Sequence, residues 1–321
     1  MIAGLDWPIF GWSDDIRPAL GVALRAGRPA ALATLFRVEG SAPRGPGAQM
    51  LFDGESASGY FSGDCIEGDV ASHAAEVLAD GRPQHLHYGT GSPWIDIRLR
   101  CGGTLHILLE RIAADSPAAR AMLDAGAARQ PCRWVSDGLT QSVVPGDGPL
   151  LFVQDQPLQI ARRYSPARRI VVTGGDPGAL ALAKLAAEAQ FETWLVRADG
   201  PESAPPLSGV IYRRAEPIAV LEELGLDRWT AFIGATHEDE HDLPACIHAL
   251  RHDAAWVGMI GAKSRAAGRL EVLRRHGATE AELARLHLSP GVPGLGKAPW
   301  EVATGILAEI MQAMNPARER A

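Results

Sequence analysis

The chain has 321 residues, with 31 Lys+Arg against 38 Asp+Glu, a formal charge of −7 and no basic block. That balance argues against a nucleic-acid or anionic-membrane surface. Hydrophobic residues at 46% and charged residues at 21% are the proportions of a globular protein able to bury cores, and the length sets a prior of about two domains.

Cys65, Cys101, Cys132 and Cys246 are widely spaced with no CxxC, which points to reduced thiols in a cytosolic protein and not to a disulfide framework. No apolar run is long enough for a transmembrane helix. The N-terminus carries early acids without a basic segment, so it does not read as a signal peptide.

Residues 14–27 predict a first helix, with Ile16, Leu20, Ala23 and Leu24 on one face and Gly27 as its stop. Strands follow at Ala30–Val38, Ala48–Phe52 and, after a turn at Asp53–Gly59, Tyr60–Ser62. A helix is expected over Asp64–Ala79, ended by Gly81, then strands at Gln84–Tyr88, Trp94–Arg100 and Thr104–Leu109. Residues 112–130 read as a helix, and 131–163 as short strands with turns at Asp137–Gly138 and Pro145–Gly148.

From Arg169 the pattern changes to β–α alternation. Strands are expected at 169–173, 192–197, 209–213, 229–235 and 255–260, with helices between them to about Gln190 and at 217–224, 242–252 and 263–276. A last amphipathic helix at 299–314 carries Val302, Ile306, Ile310 and Met314 on one side. The fold class is therefore α/β: a small mixed α+β domain over residues 1–163, then a Rossmann-like, doubly wound parallel-sheet domain over 164–321.

Two motifs in the second domain test what it binds. After strand Arg169–Thr173 the sequence Gly174-Gly175-Asp176-Pro177-Gly178-Ala179 approximates G-x-G-x-x-A, but Asp176 stands where backbone should approach a pyrophosphate. The ribose-binding acid expected at the end of the next strand is replaced by Arg197. Ordinary NAD binding is thus disfavoured, although Arg197 would suit a 2′-phosphate. His237-Glu238-Asp239-Glu240-His241 matches H-E-x-x-H literally, yet it directly follows a strand, whereas a zincin needs both histidines on an established helix. A ligand contact by Thr236 or His237 at the top of the sheet fits that edge better.

The segments VEGSAPRGPGAQML, SGDCIEG and CGGTLHILLE, followed by the glycine turn at Gly174, THEDEHDLPA, AAWVGMIGAKSR and ARLHLSPGVPGLGKAPWEVATGILAEI, resemble in their order the xanthine dehydrogenase accessory protein family (XdhC/CoxI). The resemblance runs from about Ala30 to Met314 and is weakest over 112–163. It implies an accessory factor for molybdenum hydroxylases. Such a factor binds molybdopterin cofactor as cargo, supports installation of its terminal sulfur ligand and helps deliver it to an apoenzyme, without turning over a substrate. The implied partners are a molybdenum hydroxylase apoenzyme, a cysteine desulfurase and a second copy of the chain, in the cytoplasm. The sequence departs from the family at Asp64, usually glycine, at Asp176, at Arg197 and at Asp239, commonly a histidine.

Residue chemistry and resemblance together give candidate cofactor contacts at Arg44, Gly63, Cys65, Glu67, Cys101, Gly102 and Gly103. In the second domain they give Gly174, Gly175, Thr236, His237, Lys263 and Arg265. Cys65, at the expected helix start, fits either a thiolate favoured by free N–H groups or a small packing residue among acids. Cys101 fits a site or a buried bulge residue. Arg44 suits a pterin phosphate or an internal carboxylate, and Glu67 a backbone N–H or Arg44. Lys263 and Arg265 suit a phosphate cradle or a solvated helix start. Cys132 and Cys246 fall in apolar patterns and are expected in the core. The competing functions are an NAD(P)-dependent oxidoreductase with a divergent Rossmann site and a metal-dependent hydrolase using His237 and His241.

Overall fold

The computed structural model describes residues 9–92, 99 and 101–315. The chain divides into two compact units, Met1–Pro166 and Ala167–Ala321.

In the first unit, α1 (Arg17–Arg25) precedes β1 (Ala30–Glu39), β2 (Gln49–Phe52), β3 (Ala57–Gly59), α2 (Glu67–Asp80), β4 (Gln84–Tyr88) and β5 (Thr104–Ile112). Next come α3 (Pro117–Ala127), β6 (Cys132–Ser136), β7 (Gln141–Pro145), β8 (Leu151–Asp155) and β9 (Leu158–Tyr164). The strands form a five-stranded sheet in the order β3-β2-β1-β5-β4 and a four-stranded sheet in the order β7-β6-β9-β8. All their pairings are antiparallel.

Alternation in β1 explains the layering, because successive side chains of a strand face opposite sides. Ala31, Ala33 and Leu35 meet Val70, Ala74 and Val77 of α2 in one core. Leu32, with Leu51 and Ile112, meets Trp134 and Tyr164 of the smaller sheet and Leu20 of α1. Burying each large apolar side chain contributes about 1.5–3 kcal/mol. Buried Glu110 accepts from Trp134 Nε1 at 3.0 Å, Ser136 Oγ at 2.5 Å and Gln141 Nε2 at 2.8 Å, tying β5 to β6 and β7. Gly81 ends α2 in a left-handed cap at φ 76°, as its position predicts.

Two expectations shift here. The third strand is Ala57–Gly59, inside the stretch expected to turn, and Tyr60–Ser62 lies outside it. Gly59, at φ 90°, sits so close to the Gln49 carbonyl that a Cβ would lie 2.1 Å from its oxygen, so only glycine lets β3 pair there. Helix α2 begins at Glu67, leaving Asp64 and Cys65 in the loop before it. The expected strand Trp94–Arg100 falls, apart from Leu99, outside the described residues.

The second unit runs β10 (Arg169–Thr173), α4 (Pro177–Glu188), β11 (Glu192–Val196), β12 (Val210–Arg213), α5 (Pro217–Leu224), β13 (Thr230–Gly234), α6 (Asp239–Arg251) and β14 (Trp256–Met259). It closes with α7 (Ala266–Arg275), α8 (Glu280–Leu283), β15 (Leu286–Leu288) and α9 (Pro299–Ala313). Its six strands are parallel in the order β12-β11-β10-β13-β14-β15, the 3-2-1-4-5-6 order of a Rossmann sheet. Central strands β10 and β13 are buried throughout, as a sheet covered on both faces requires. Helices α4 and α9 cover one face through Leu182, Ala186, Ile306 and Ile310. Helices α5, α6 and α7 cover the other through Leu221, Cys246 and Leu273. Cys132 and Cys246 are both buried, and all four cysteines are free. Two elements go unread in the sequence: short α8, which opens on a Thr279–Glu282 capping box, and edge strand β15. The expected helix 263–276 is also split, a 3₁₀ turn at Lys263–Arg265 preceding α7.

No helix among the described residues is long and apolar enough to cross a membrane.

Candidate functional site

In the first unit, the loop Phe61–Ile66 is built around one carboxylate. Glu67 is 2% exposed. Its Oε1 accepts from the backbone N–H groups of Phe61 at 2.9 Å, Ser62 at 2.7 Å and Gly63 at 3.2 Å. Its Oε2 accepts from Asp64 N at 2.8 Å, Ile66 N at 3.2 Å and Ser62 Oγ at 2.7 Å. Burial pushes this carboxyl up, but the hydrogen bonds from Ser62 and the loop backbone outweigh it and hold the group below the usual carboxylate range. Glu67 therefore binds its own loop; it pairs neither with Arg44 nor with an open face.

Arg44 is likewise engaged inside the unit. Its Nη1 donates to Asp14 Oδ1, and its guanidinium stacks 4.8 Å from the Tyr60 ring centroid. Of the two roles its chemistry suits, the internal carboxylate is the one the geometry shows. Cys65 sits two residues ahead of α2 and not on it; its N–H goes to Ser62 Oγ at 3.0 Å, while its half-exposed side chain packs on the same apolar cluster as Cys101 and Ala42. Gly102, at φ 71°, closes a turn by donating to Leu99 O at 3.0 Å. Gly103 lies against Ser41 so tightly that a Cβ would stand 2.1 Å from its carbonyl oxygen. The loops after β1 and before β5 thus meet at one end of the sheet. Gly63 and Asp64 both adopt left-handed backbone, at φ 77° and 88°. The aspartate occupies a conformation that favours glycine, and its presence there is a local strain.

In the second unit a cleft of about 280 Å³ opens between the C-terminal ends of β10 and β13, where the strand order reverses and such sheets bind ligands. Its walls include Gly174, Gly175, Asp176, Arg197, Thr236, His237, Glu238 and His241. Gly174, at φ 93°, passes so near Ala235 that a Cβ would lie 2.2 Å from its carbonyl oxygen. Asp176 caps α4: its Oδ1 accepts from Ala179 N at 2.7 Å, and its Oδ2 lies 2.9 Å from His237 Nε2. The carboxylate thus takes the helix N-terminus that a pyrophosphate would use. Arg197 is exposed, its guanidinium lying over Gly175, where a Cβ would fall 2.8 Å from Nη1.

Below the cleft, fully buried Asp242 accepts from Thr173 Oγ1 at 2.9 Å and Thr236 N at 3.1 Å. Thr173 Oγ1 in turn accepts from Ala235 N at 2.8 Å. This network fixes the Thr236–His237 corner, where His237 is left-handed at φ 64°. Burial pushes the Asp242 carboxyl up, and the Thr173 and Thr236 hydrogen bonds answer only part of that. His241 occupies the first turn of α6, with Nδ1 2.9 Å from Glu216 Oε2 and Nε2 3.3 Å from Glu238 Oε2. The Glu216 hydrogen bond raises its pKa above the ordinary imidazole value.

Glu238, Glu240 and His241 bring donor atoms within 4.8 Å of one another, the one group of three so converged among the described residues. They stand at the positive end of α6, where acids stabilise a helix and a cation is repelled. His237 precedes the helix and His241 lies on it, so the pair is not the one-turn-apart arrangement of a zincin. Lys263 and Arg265 form the 3₁₀ turn after β14, with Arg265 Nη2 3.1 Å from Asp239 Oδ2. Neither lines the cleft. Glu216 and the buried Asp242 were missed by sequence reasoning; a threonine ending β10 and an acid in the first turn of α6 were the available signals.

Comparison with known proteins gives a consistent result. The family model of the XdhC Rossmann domain matches residues 170–310, and that of the XdhC and CoxI family matches residues 23–89. The molybdenum cofactor insertion chaperone PaoD of Escherichia coli (strain K12) is 28% identical over 309 residues, covering 93% of this chain and 88% of its own. A protein of Bacillus subtilis (strain 168) described as a probable xanthine dehydrogenase subunit is 25% identical, covering 88% of this chain and 92% of its own. The crystal structure of a xanthine dehydrogenase from Bacillus halodurans superposes with a TM-score of 0.72 at 22% identity, covering 95% of this chain and 96% of that one. At that identity the likeness speaks to the fold.

Proposed function

Since this chain belongs to the XdhC and CoxI family, we propose that it binds molybdenum cofactor as cargo and supports its sulfuration and insertion into a xanthine-dehydrogenase-type hydroxylase. The observation that carries this reading is the match along 93% of the chain to a molybdenum cofactor insertion chaperone. The cleft geometry supports it in a negative sense: Asp176 caps α4 with its own carboxylate, which opposes the pyrophosphate grip an NAD(P) oxidoreductase needs. Arg197 is the cleft-lining cation suited to the phosphate of a pterin cofactor. In the first unit, and independently of that cleft, half-exposed Cys65 and Cys101 are soft sulfur donors of the kind that suits molybdenum. A cysteine desulfurase and a second copy of the chain complete the proposed partners, in the cytoplasm.

The test is titration of purified protein with isolated molybdenum cofactor, followed by activation of a hydroxylase apoenzyme. Binding at micromolar or better affinity, with no turnover of a substrate, is expected. Wild-type protein that takes up no cofactor overturns the reading. A marked rise in melting temperature with NADP instead would revive the oxidoreductase alternative.

A further inference from the structure

Three of the ten histidines of the chain share one face of the β4–β5 pair, on the side away from α2. His85 and His87 are two residues apart on β4, so their side chains leave the same face. His106 on β5 is registered directly opposite His87. The ring centroids of His87 and His106 are 4.6 Å apart, and those of His85 and His106 5.6 Å. Phe36 of β1 lies beside the cluster, 5.0 Å from His85 and 6.0 Å from His106. Glu39 Oε1 stands 3.5 Å from His106 Nε2, and that nitrogen, shielded from solvent, has no hydrogen-bond partner. Arg37, opposite His106 in the sheet, is turned to Asp155.

From this arrangement we infer a binding site for a first-row divalent metal ion of the Zn²⁺ class, held by His85, His87 and His106 with Glu39 as a fourth donor. Imidazole ligands select such ions. With Zn–N bonds of about 2.0–2.1 Å at tetrahedral angles, two coordinating rings have centroids roughly 5 Å apart, and the two separations here fall on either side of that value. His87 and His106 are stacked at 11°, so their nitrogens do not yet converge; coordination turns the rings out of the stack about their χ angles. The strand positions need not move: directly opposed residues such as His87 and His106 stand about 4.5–5.5 Å apart at Cβ, and His85, the diagonal neighbour of His106, stands about 7–8 Å away, within reach of a ring side chain. The site belongs to the first unit and uses no residue of the proposed cofactor machinery, so it stands or falls separately from that function.

The experiment uses full-length, tag-free protein stripped with a chelator and titrated with Zn²⁺ by calorimetry and with Co²⁺ by visible absorption. One equivalent should bind at micromolar or tighter affinity, and Co²⁺ should give the intense bands of a four-coordinate site. His87→Ala and His106→Gln should each weaken binding by about tenfold or more, and His241→Ala should leave it unchanged. The exposed position of His85 makes His85→Ala a third variant that keeps the fold, with the same expected loss. Binding that survives all three substitutions, that disappears with His241→Ala, or that gives only the weak bands of six-coordinate Co²⁺ overturns the assignment.

Discussion

The two glycine-lined corners of this protein handle charge in opposite ways. In the first unit, the Phe61–Ile66 loop closes on Glu67, whose carboxylate accepts from the loop's own N–H groups and from Ser62. In the second, the Gly174–Asp176 turn and the Thr236–His241 corner leave Arg197, Asp176, His237 and Glu238 along an open cleft. A glycine-rich sequence therefore precedes a loop folded onto one carboxylate in one place and a cleft lined by charged side chains in the other. What separates them is how many loop donors the buried acid takes: Glu67 accepts from the N–H groups of Phe61, Ser62, Gly63, Asp64 and Ile66, whereas Asp242 accepts from Thr236 N alone in its corner.

The sharpest way to break this contrast is Glu67→Gln. The substitution removes a charge that accepts several hydrogen bonds and leaves buried donors short of acceptors, which should cost about 3 kcal/mol in chemical denaturation at neutral pH. The sign with pH follows from the lowered folded pKa. The stabilisation is complete above the ordinary carboxyl value of 4.5 and is lost as pH falls through the lower folded value. The gap between wild type and variant should therefore close under acid. An unchanged midpoint at neutral pH would mean the loop does not depend on this carboxylate.

Asp242→Ala probes the floor of the cleft. It strands Thr236 N and one bond of Thr173, yet it also relieves a buried acid whose pKa burial has raised. The net loss should be smaller, about 1–2 kcal/mol, with faster amide exchange at Thr236. Asp64→Gly runs the other way. It releases left-handed strain at φ 88° against the greater chain entropy of glycine, for a net gain of about 1 kcal/mol seen as a higher melting temperature.

Much of this is legible in the sequence, for physical reasons that differ by region. The Rossmann half can be read almost strand by strand, because buried parallel strands are short apolar runs and its helices start at Pro177, Pro217 and Pro299. Edge strand β15, only three residues long and half-buried, carries no such run and goes unseen. In the first half, Tyr60–Ser62 resembles a strand because it is aromatic and bounded by glycines, while the true strand Ala57–Gly59 has almost no side-chain signal and pairs through a glycine. Site residues are harder. Arg44 is visible as a lone cation in its loop, but its partner Asp14 is 30 residues away, and no local pattern encodes that pairing. Glu67 stands out in the sequence, yet only coordinates reveal that it faces inward to its own loop.

The subtlest probe of the open cleft is Glu216→Gln. Glu216 precedes α5 and reaches His241 on α6, so the pair joins two helices that cover one face of the sheet. Because the folded pKa of His241 is raised, its contribution is fully present below the ordinary value of 6.5 and lost as pH rises through the higher folded value. Removing the Glu216 charge should bring the imidazole back toward 6.5, followed by proton resonance of the ring through a pH titration. It should also flatten the small loss of stability expected of the wild type on the alkaline side of that transition. The charges of Glu238 and Glu240 also act on this ring, so part of the elevation should remain. If the titration does not move at all, His241 is governed by the acids at the head of its own helix, and the cleft wall is not braced from α5.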